Sequence, residues 1–253
     1  MGREAKLLVY AVQLLTRLPT PRSLDYEPDI IARSAKYFPL VGQFVGLLAA
    51  AVLILASRIW SGALPSLLAI GAAILITGAF HEDGLADTAD GLGGGSSREQ
   101  RLAIMKDSRI GTYGMIALVL CLALKVLALA GIPPAQAALV LIAAHGGARW
   151  ATVTAMVMLP YGGDPASAKL TSATARVNGV ELLIATAFAL WPLALMNIRA
   201  ALAATVLGVV AGAWPALKAR RLIGGYTGDV LGAVEQLFEA GFLVGAAAIL
   251  SAS

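Results

Sequence analysis

The chain has 253 residues, of which 58% are hydrophobic and only 13% are charged. A soluble domain carries roughly twice that charged fraction, so the composition excludes an ordinary soluble protein and predicts an integral membrane protein. The net charge is +4, but the basic residues flank apolar stretches and form no single patch, which argues against nucleic-acid binding. The single cysteine, Cys121, argues against a disulfide framework and a Cys/His metal centre.

The N-terminal part of the chain is amphipathic. Over residues 3–18, apolar side chains such as Leu7, Ala11 and Leu15 can share one helical face. This pattern predicts a helix in the membrane interface or, equally well, a soluble helix that packs on the loops. The first strongly apolar span begins near Pro39, which is too late for a cleavable signal peptide.

Seven apolar stretches follow, each close to the ~20 residues that cross a bilayer as a helix. They lie at residues 39–57, 63–80, 112–131, 135–159, 180–197, 200–217 and 234–250. Because the second and the last are short, the predicted fold is an all-α transmembrane bundle of six or seven spans. We treat residues 1–253 as one membrane domain, in which residues 1–36 form an N-terminal interfacial segment.

The loop charges predict an orientation. Lysine and arginine concentrate in the N-terminal segment and after the second, fourth and sixth spans, whereas the opposite loops hold only Arg58 and Arg199. By the positive-inside rule the N-terminus is cytoplasmic. All 15 acids are expected on the same side. The functional face is therefore expected in the cytoplasm, with a catalytic loop at 81–111 and a second site loop at 218–233.

A dense group of acids follows the second span. Glu82, Asp83, Asp87 and Asp90 fall within nine residues, and a helix would place the three aspartates on one face. Like charges on one face repel each other, and a hard divalent cation among them reverses that cost. The segment predicts a Mg²⁺ site built from these four residues; the alternative is a solvated loop with incidental acids.

Glycines and cations near the acids favour phosphate binding. Gly93 and Gly94 can let the backbone approach a phosphate closely, and Lys106 and Arg109 can neutralise its charge. Lys169, in a later loop, is a further phosphate ligand candidate. The alternatives are a flexible glycine loop and ordinary flanking charges.

Further polar residues lie later in the chain. Asp229, in the segment Gly224–Asp229, has three candidate roles: it could complete the metal site, orient a nucleophilic hydroxyl, or cap the final helix. His145 and Arg149 are i, i+4 neighbours inside the fourth apolar stretch, so Arg149 should face the bundle interior, where it pairs with a carboxylate or binds substrate. Lys125 is expected to reach outward and to be structural.

Carboxylates, glycines and cations on one face suit phosphoryl or nucleotidyl transfer, in which catalysis is largely positioning and charge neutralisation. The chain has no Gly-x4-Gly-Lys-Ser/Thr loop, so an ATP-driven motor is not supported. A cation-coupled transporter is disfavoured because transport acids lie near the middle of spans, whereas these lie at a span boundary.

Three motifs, His81–Gly91, Met105–Gly114 and Gly225–Asp229, resemble the signature segments of the cobalamin synthase (adenosylcobinamide-GDP ribazoletransferase) family. The resemblance spans nearly the whole chain. It implies that adenosylcobinamide-GDP reacts with α-ribazole or its 5′-phosphate, giving adenosylcobalamin or its 5′-phosphate and GMP. It also implies Mg²⁺ as cofactor and a multi-pass location in the bacterial inner membrane, with the site facing the cytoplasm.

A looser similarity links the chain to CDP-alcohol phosphotransferases. The run Asp87-Thr-Ala-Asp90-Gly91 matches the start of their motif, but Gly94 and Gly95 replace its Ala-Arg pair and the second aspartate pair is missing. A phospholipid head-group phosphotransferase is therefore the alternative function, ahead of a transporter.

In the expected mechanism, one carboxylate accepts the proton of the attacking ribazole hydroxyl. Asp90, Asp107 and Asp229 are the three candidates, and the sequence leaves the choice among them open. His81 joins His145 and Arg149 as a candidate pocket residue. The expected partners are the corrinoid-GDP and ribazole substrates and membrane lipid, and a homo-oligomer is left open.

Overall fold

The computed structural model describes residues 2–21, 29–163 and 176–251, and within these ranges the chain forms helices and no β-strand beyond one isolated bridge. Short 3-10 segments at Ala35–Tyr37 and Trp191–Leu195 adjoin the α-helices. The helices are α1 Arg3–Leu15, α2 Ile30–Ser34, α3 Phe38–Ala56, α4 Leu64–Thr77, α5 Phe80–Gly94, α6 Arg98–Met105, α7 Thr112–Ala130, α8 Pro134–Met158, α9 Gly179–Leu190, α10 Ile198–Ile223 and α11 Gly228–Leu250.

Four helical stretches are long and apolar enough to cross a membrane, by length and composition: Ile30–Ala56, α7, α10 and α11. A fifth is obtained if α4 and α5, which meet at 90°, form one broken span. The all-α membrane fold is thus confirmed, whereas six or seven spans are not. Helices occupy all seven predicted stretches, but α9 has only 12 residues, and α8 is long without being apolar enough.

Two segments predicted as loops are largely helical. Residues 81–111 contain α5 and α6, and residues 218–233 divide between the end of α10 and the start of α11. The connection between those last two helices is only residues 224–227. The glycines of α5 are held in the helix by its neighbours, since Gly84 packs on α11, Gly91 on α6 and Gly93 on α7.

The bend between α4 and α5 depends on two left-handed residues, Gly78 with φ 70° and Ala79 with φ 60°. Left-handed backbone ends a helix, and glycine adopts it without steric cost. The backbone N–H of Arg17 donates to Ile76 at 2.8 Å, which ties the chain after α1 to the end of α4. The bend turns α5 across the bundle.

The helix α11 lies at the centre of the bundle, in contact with α5, α7, α8 and α10. Its small residues permit close crossings: a Cβ on Gly241 or Gly245 would collide with backbone atoms of α10. Small residues at helix contacts are typical of membrane bundles. The predicted amphipathic helix is confirmed as α1, three residues shorter than expected, with Leu7, Ala11 and Leu15 buried.

Candidate active site

The site is organised by the crossing of α5 and α11. A Cβ on Gly84 would lie 2.8 Å from the backbone oxygen of Asp229, and a Cβ on Gly232 would lie 3.0 Å from the backbone oxygen of His81. The two backbones therefore approach as closely as glycine allows. This contact brings the aspartates of α5 beside the first turn of α11.

Three carboxylates from two helices gather at this crossing. Asp83 is exposed, and Asp87 and Asp229 are half-buried. The charges of Asp83, Asp90 and Asp229 all act on the Asp87 carboxylate. Several half-desolvated like charges are unfavourable without a counter-cation, and carboxylate oxygens are the ligands that Mg²⁺ prefers. Asp83, Asp87 and Asp229 therefore fit a hard divalent cation by their donor chemistry.

Asp90, in contrast, holds the start of α7. Its Oδ2 accepts the backbone N–H of Gly111 at 2.7 Å, and its Oδ1 accepts that of Gly114 at 2.9 Å. A Cβ on either glycine would collide with this carboxylate. Asp90 thus satisfies N–H groups that the helix itself leaves unpaired, a capping role supplied from a neighbouring helix.

Asp107 and Arg109 pair with each other. The Arg109 guanidinium donates to the Asp107 carboxylate, with the shortest contact at 2.6 Å, and holds the pKa of Asp107 down at about 2. The Arg109 side chain is 87% exposed. The neighbouring Lys106 is also exposed, and Lys169 lies outside the described residues.

Gly93 and Gly94 belong to the last turn of α5, which corrects the predicted glycine cradle. In a helix the backbone N–H groups bond to carbonyls four residues earlier and do not point together at an anion. Gly93 instead lies against the ring of Tyr113, where a Cβ would come within 2.9 Å. Close packing on α7 explains this glycine.

Glu82 lies apart from the aspartates, since one residue along a helix turns the side chain to a different face. It is buried, and the Gln236 amide donates to its Oε1 at 2.9 Å. It belongs to a buried polar cluster between α5, α7, α8 and α11, whose members are His81, Glu82, Lys125, His145, Arg149, Glu235, Gln236 and Glu239.

Arg149 faces the bundle interior, as its position in an apolar stretch predicted, and it pairs with Glu235 and Glu239. Lys125 corrects the expectation that it reaches outward: it is 2% exposed and donates to Glu239 at 2.6 Å. Glu235 and Glu239 correct the expectation that every acid lies on one membrane side. Both residues belong to the membrane-length helix α11, and their side chains are buried inside the bundle.

Among the described residues, only His145, Glu235 and Glu239 place three ligand atoms within 4.8 Å of one another. These carboxylates already face the cations of Arg149 and Lys125. A metal ion there would be repelled by both cations. We therefore interpret this group as an ion-pair network.

The loop before α11 is fixed by contacts that sequence reasoning missed. Tyr226 pairs through its backbone with Pro160 and Gly162, and Arg98 donates to the carbonyls of Ile223 and Gly162. Thr227, not Asp229, is the N-cap of α11, and its Oγ1 accepts the N–H of Val230. The Asp229 carboxylate accepts the Thr227 hydroxyl at 3.3 Å, and its charge acts on Asp87. The capping signal, a threonine three residues before Val230, was present in the sequence.

The fold and the site define a helical membrane protein with a carboxylate site at a helix crossing. A family model described as cobalamin-5-phosphate synthase matches residues 7–247, and the chain belongs to this family. The adenosylcobinamide-GDP ribazoletransferase of Leptothrix cholodnii is 43% identical over 246 residues, covering 93% of this chain and 92% of that protein.

The proteins of the same name from Shewanella amazonensis and Shewanella piezotolerans are 40% and 39% identical. Each alignment covers 94% of this chain and 93% of the relative. No solved structure matches the chain significantly.

Proposed function

We propose that this protein is an adenosylcobinamide-GDP ribazoletransferase, which joins adenosylcobinamide-GDP to α-ribazole or its 5′-phosphate and releases GMP. The observation that carries the proposal is the similarity over nearly the whole chain to relatives of that name. The carboxylates at the crossing of α5 and α11 supply the kind of site that such a transfer needs.

In this reaction a ribose hydroxyl of ribazole, the 3′ position in the family resemblance, attacks the phosphorus that carries the corrinoid. A new phosphorus–oxygen bond forms there, and the bridge between the two phosphates breaks. GMP leaves with the bridging oxygen, and the proton of the hydroxyl passes to a carboxylate. Charge therefore accumulates on phosphate oxygens, and neutralising that charge is the main catalytic task.

Asp229 is the best placed of the three candidate bases. Both oxygens of Asp90 accept backbone N–H groups of α7. The pKa of Asp107, lowered to about 2 by Arg109, makes it a weak proton acceptor. Asp229 is half-buried beside Asp87, with one oxygen accepting the Thr227 hydroxyl at 3.3 Å.

Asp83 and Asp87 are the residues that would hold Mg²⁺, which leaves the Asp229 carboxylate to accept the proton. A bound Mg²⁺ would supply charge neutralisation for the diphosphate. The protein's own part is to hold these carboxylates on two helices that cannot slide, because glycines leave no gap at their contact. Lys106 remains a proposed phosphate contact; Arg109 would have to leave Asp107 to make one.

The proposed location is the bacterial inner membrane, with the site in the cytoplasm. The excess of lysine and arginine in the loops on that side supports this orientation. A nucleotide-activated corrinoid is polar and charged, so a site at the end of helices suits its delivery from water.

The test is GMP release by purified, detergent-solubilised protein with Mg²⁺, adenosylcobinamide-GDP and α-ribazole phosphate. We expect release that requires both substrates, and loss of turnover in Asp87→Asn with unchanged membrane insertion. Near-normal activity of Asp87→Asn at saturating Mg²⁺ would show that the metal assignment is wrong. No release by folded wild-type protein would move the proposal to the lipid head-group phosphotransferase.

A further inference from the structure

A cavity of about 210 Å³ lies against the α5–α11 crossing, and nothing in the mechanism above uses it. It is a partly open space lined by the first turns of α5 and α11, by α8, and by the N-terminal helices. Its apolar walls include Leu15, Phe38, Phe80, Met156 and Leu231. We call this space the base cavity.

The base cavity has one buried polar group without a partner. His81 lines it and is only 4% exposed, and its Nδ1 makes no hydrogen bond. The Oε1 atom of Glu235 is 3.9 Å from that nitrogen, too far for a hydrogen bond. A buried polar atom of this kind normally has a partner, and a bound ligand would supply one.

We propose that the base cavity binds the flat benzimidazole base of ribazole, with His81 hydrogen-bonded to its free ring nitrogen. This inference rests on the proposed function and adds the place and the chemistry of base recognition. An aromatic, mostly apolar base suits a pocket with apolar walls and few convergent polar groups.

The other substrate does not suit this cavity. A corrinoid macrocycle is far larger than a drug-sized ligand, whose pockets measure roughly 300–1,000 Å³. A guanine base carries donors and acceptors along its edge, each of which would need a partner once buried. The residues with hydroxyl groups in the wall are Thr152, Tyr161 and Tyr226, and the Thr152 hydroxyl already donates to the Arg149 carbonyl. A benzimidazole riboside has a single free ring nitrogen, which needs only one hydrogen-bond donor.

The position of the cavity also suits a nucleoside whose ribose must reach the carboxylates. Phe80 lines the cavity and lies three residues before Asp83, and Gly228 lines it and directly precedes Asp229. One helical turn rises about 5 Å, so a base held in the cavity places its ribose beside these aspartates.

Filling the cavity gives the test. Leu231→Trp puts bulk into the base cavity, whereas Leu237→Trp is a matched control on the same helix, since Leu237 is equally half-buried but lines a different cavity. Ribosides of dimethylbenzimidazole, benzimidazole and imidazole serve as acceptors with one corrinoid-GDP donor. The measurement is kcat/KM for each acceptor and KM for the donor.

We expect Leu231→Trp to lower kcat/KM for the dimethylbenzimidazole riboside by about tenfold or more, a loss equivalent to ~1.4 kcal/mol per factor of ten. The loss should shrink as the base becomes smaller, with the donor KM unchanged. Leu237→Trp should keep the wild-type order of bases. If folded Leu231→Trp keeps the wild-type order of kcat/KM among the three acceptors, the proposal is overturned. If Leu231→Trp does not fold, the same measurement is made with Met156→Trp, which fills the cavity from α8.

The role of His81 has its own readout. His81→Phe removes the donor and His81→Gln keeps one, so KM for ribazole should rise about tenfold in the first and less in the second. Equal effects of both substitutions would contradict the hydrogen bond. If wild-type protein releases no GMP with any acceptor, the proposed function itself fails, an outcome distinct from unaltered base selectivity in an active enzyme.

Discussion

Neighbouring acids of α5 have separate tasks, set by the face of the helix on which each lies. Asp83 and Asp87 face the first turn of α11, Asp90 reaches the start of α7, and Glu82 enters the buried polar cluster. The sequence predicted that the aspartates share a helical face. It could not predict that Glu82 turns inward, because the buried face of a helix depends on its partners.

The capping role of Asp90 predicts a stability effect. Asp90→Ala leaves two N–H groups of α7 without their acceptor, so we expect the free energy of unfolding to fall by about 1–3 kcal/mol. Asp90→Asn keeps one acceptor oxygen and should lose less. Thermal unfolding in detergent measures both, and a wild-type melting temperature for Asp90→Ala would contradict the capping role.

At the scale of helices, the crossing of α5 and α11 determines the geometry of the site. The sequence predicted where the apolar helices lie, because a long apolar stretch indicates a helix that crosses a membrane. The bend at Gly78 and Ala79, and the glycine contact at Gly84, depend on backbone angles and on distant segments. No local pattern specifies these angles and contacts, so the sequence predicts a loop over residues 81–111, where the structure has the continuous helix α5.

Gly84→Ala tests the crossing. Its new methyl group would meet the backbone oxygen of Asp229, so the two helices must separate and activity should fall by about tenfold or more, as expected for ångström-scale misplacement of catalytic groups. Gly71→Ala in α4 is the control, because a Cβ there meets nothing within 4 Å. Equal GMP release by the two variants, at equal amounts of folded protein, would argue against a role for this contact.

For the whole molecule, the buried polar cluster connects α7, α8 and α11 through ion pairs, and a hydrogen bond from Gln236 to Glu82 adds α5. Arg149 contacts both glutamates of α11, and Lys125 of α7 contacts Glu239. The sequence placed Arg149 inside correctly, because an arginine in lipid is too costly. The sequence prediction for Lys125 is wrong. A lysine in a span can either extend to the membrane interface or pair with a buried carboxylate, and only the position of the partner in the fold decides which occurs.

Breaking this network should destabilise the bundle. Arg149→Met keeps the bulk but leaves Glu235 and Glu239 short of a cation, so we expect a loss of about 3–5 kcal/mol, typical of one partner removed from a buried pair. Arg199→Met, at an exposed position, should melt like the wild type. A wild-type melting temperature for Arg149→Met would mean that the network does not stabilise the fold.

The orientation is a further prediction for the whole molecule. Ser61 lies between α3 and α4, and Ser108 lies between α6 and α7. If α4 and α5 return the chain across the membrane, an impermeant thiol reagent added to intact cells should label Ser61→Cys and spare Ser108→Cys. The native Cys121 is buried and gives little background. Labelling of both positions would mean that α4 and α5 do not cross.

The central claim is that catalysis uses the carboxylates at the α5–α11 crossing and not those of the loop before α7. Single-turnover GMP release by Asp229→Asn and Asp107→Asn tests it most directly. We predict that Asp229→Asn loses at least about a hundredfold in rate, the usual contribution of a general base, while Asp107→Asn stays near the wild-type rate. A large loss in Asp107→Asn with a wild-type rate in Asp229→Asn would contradict the account.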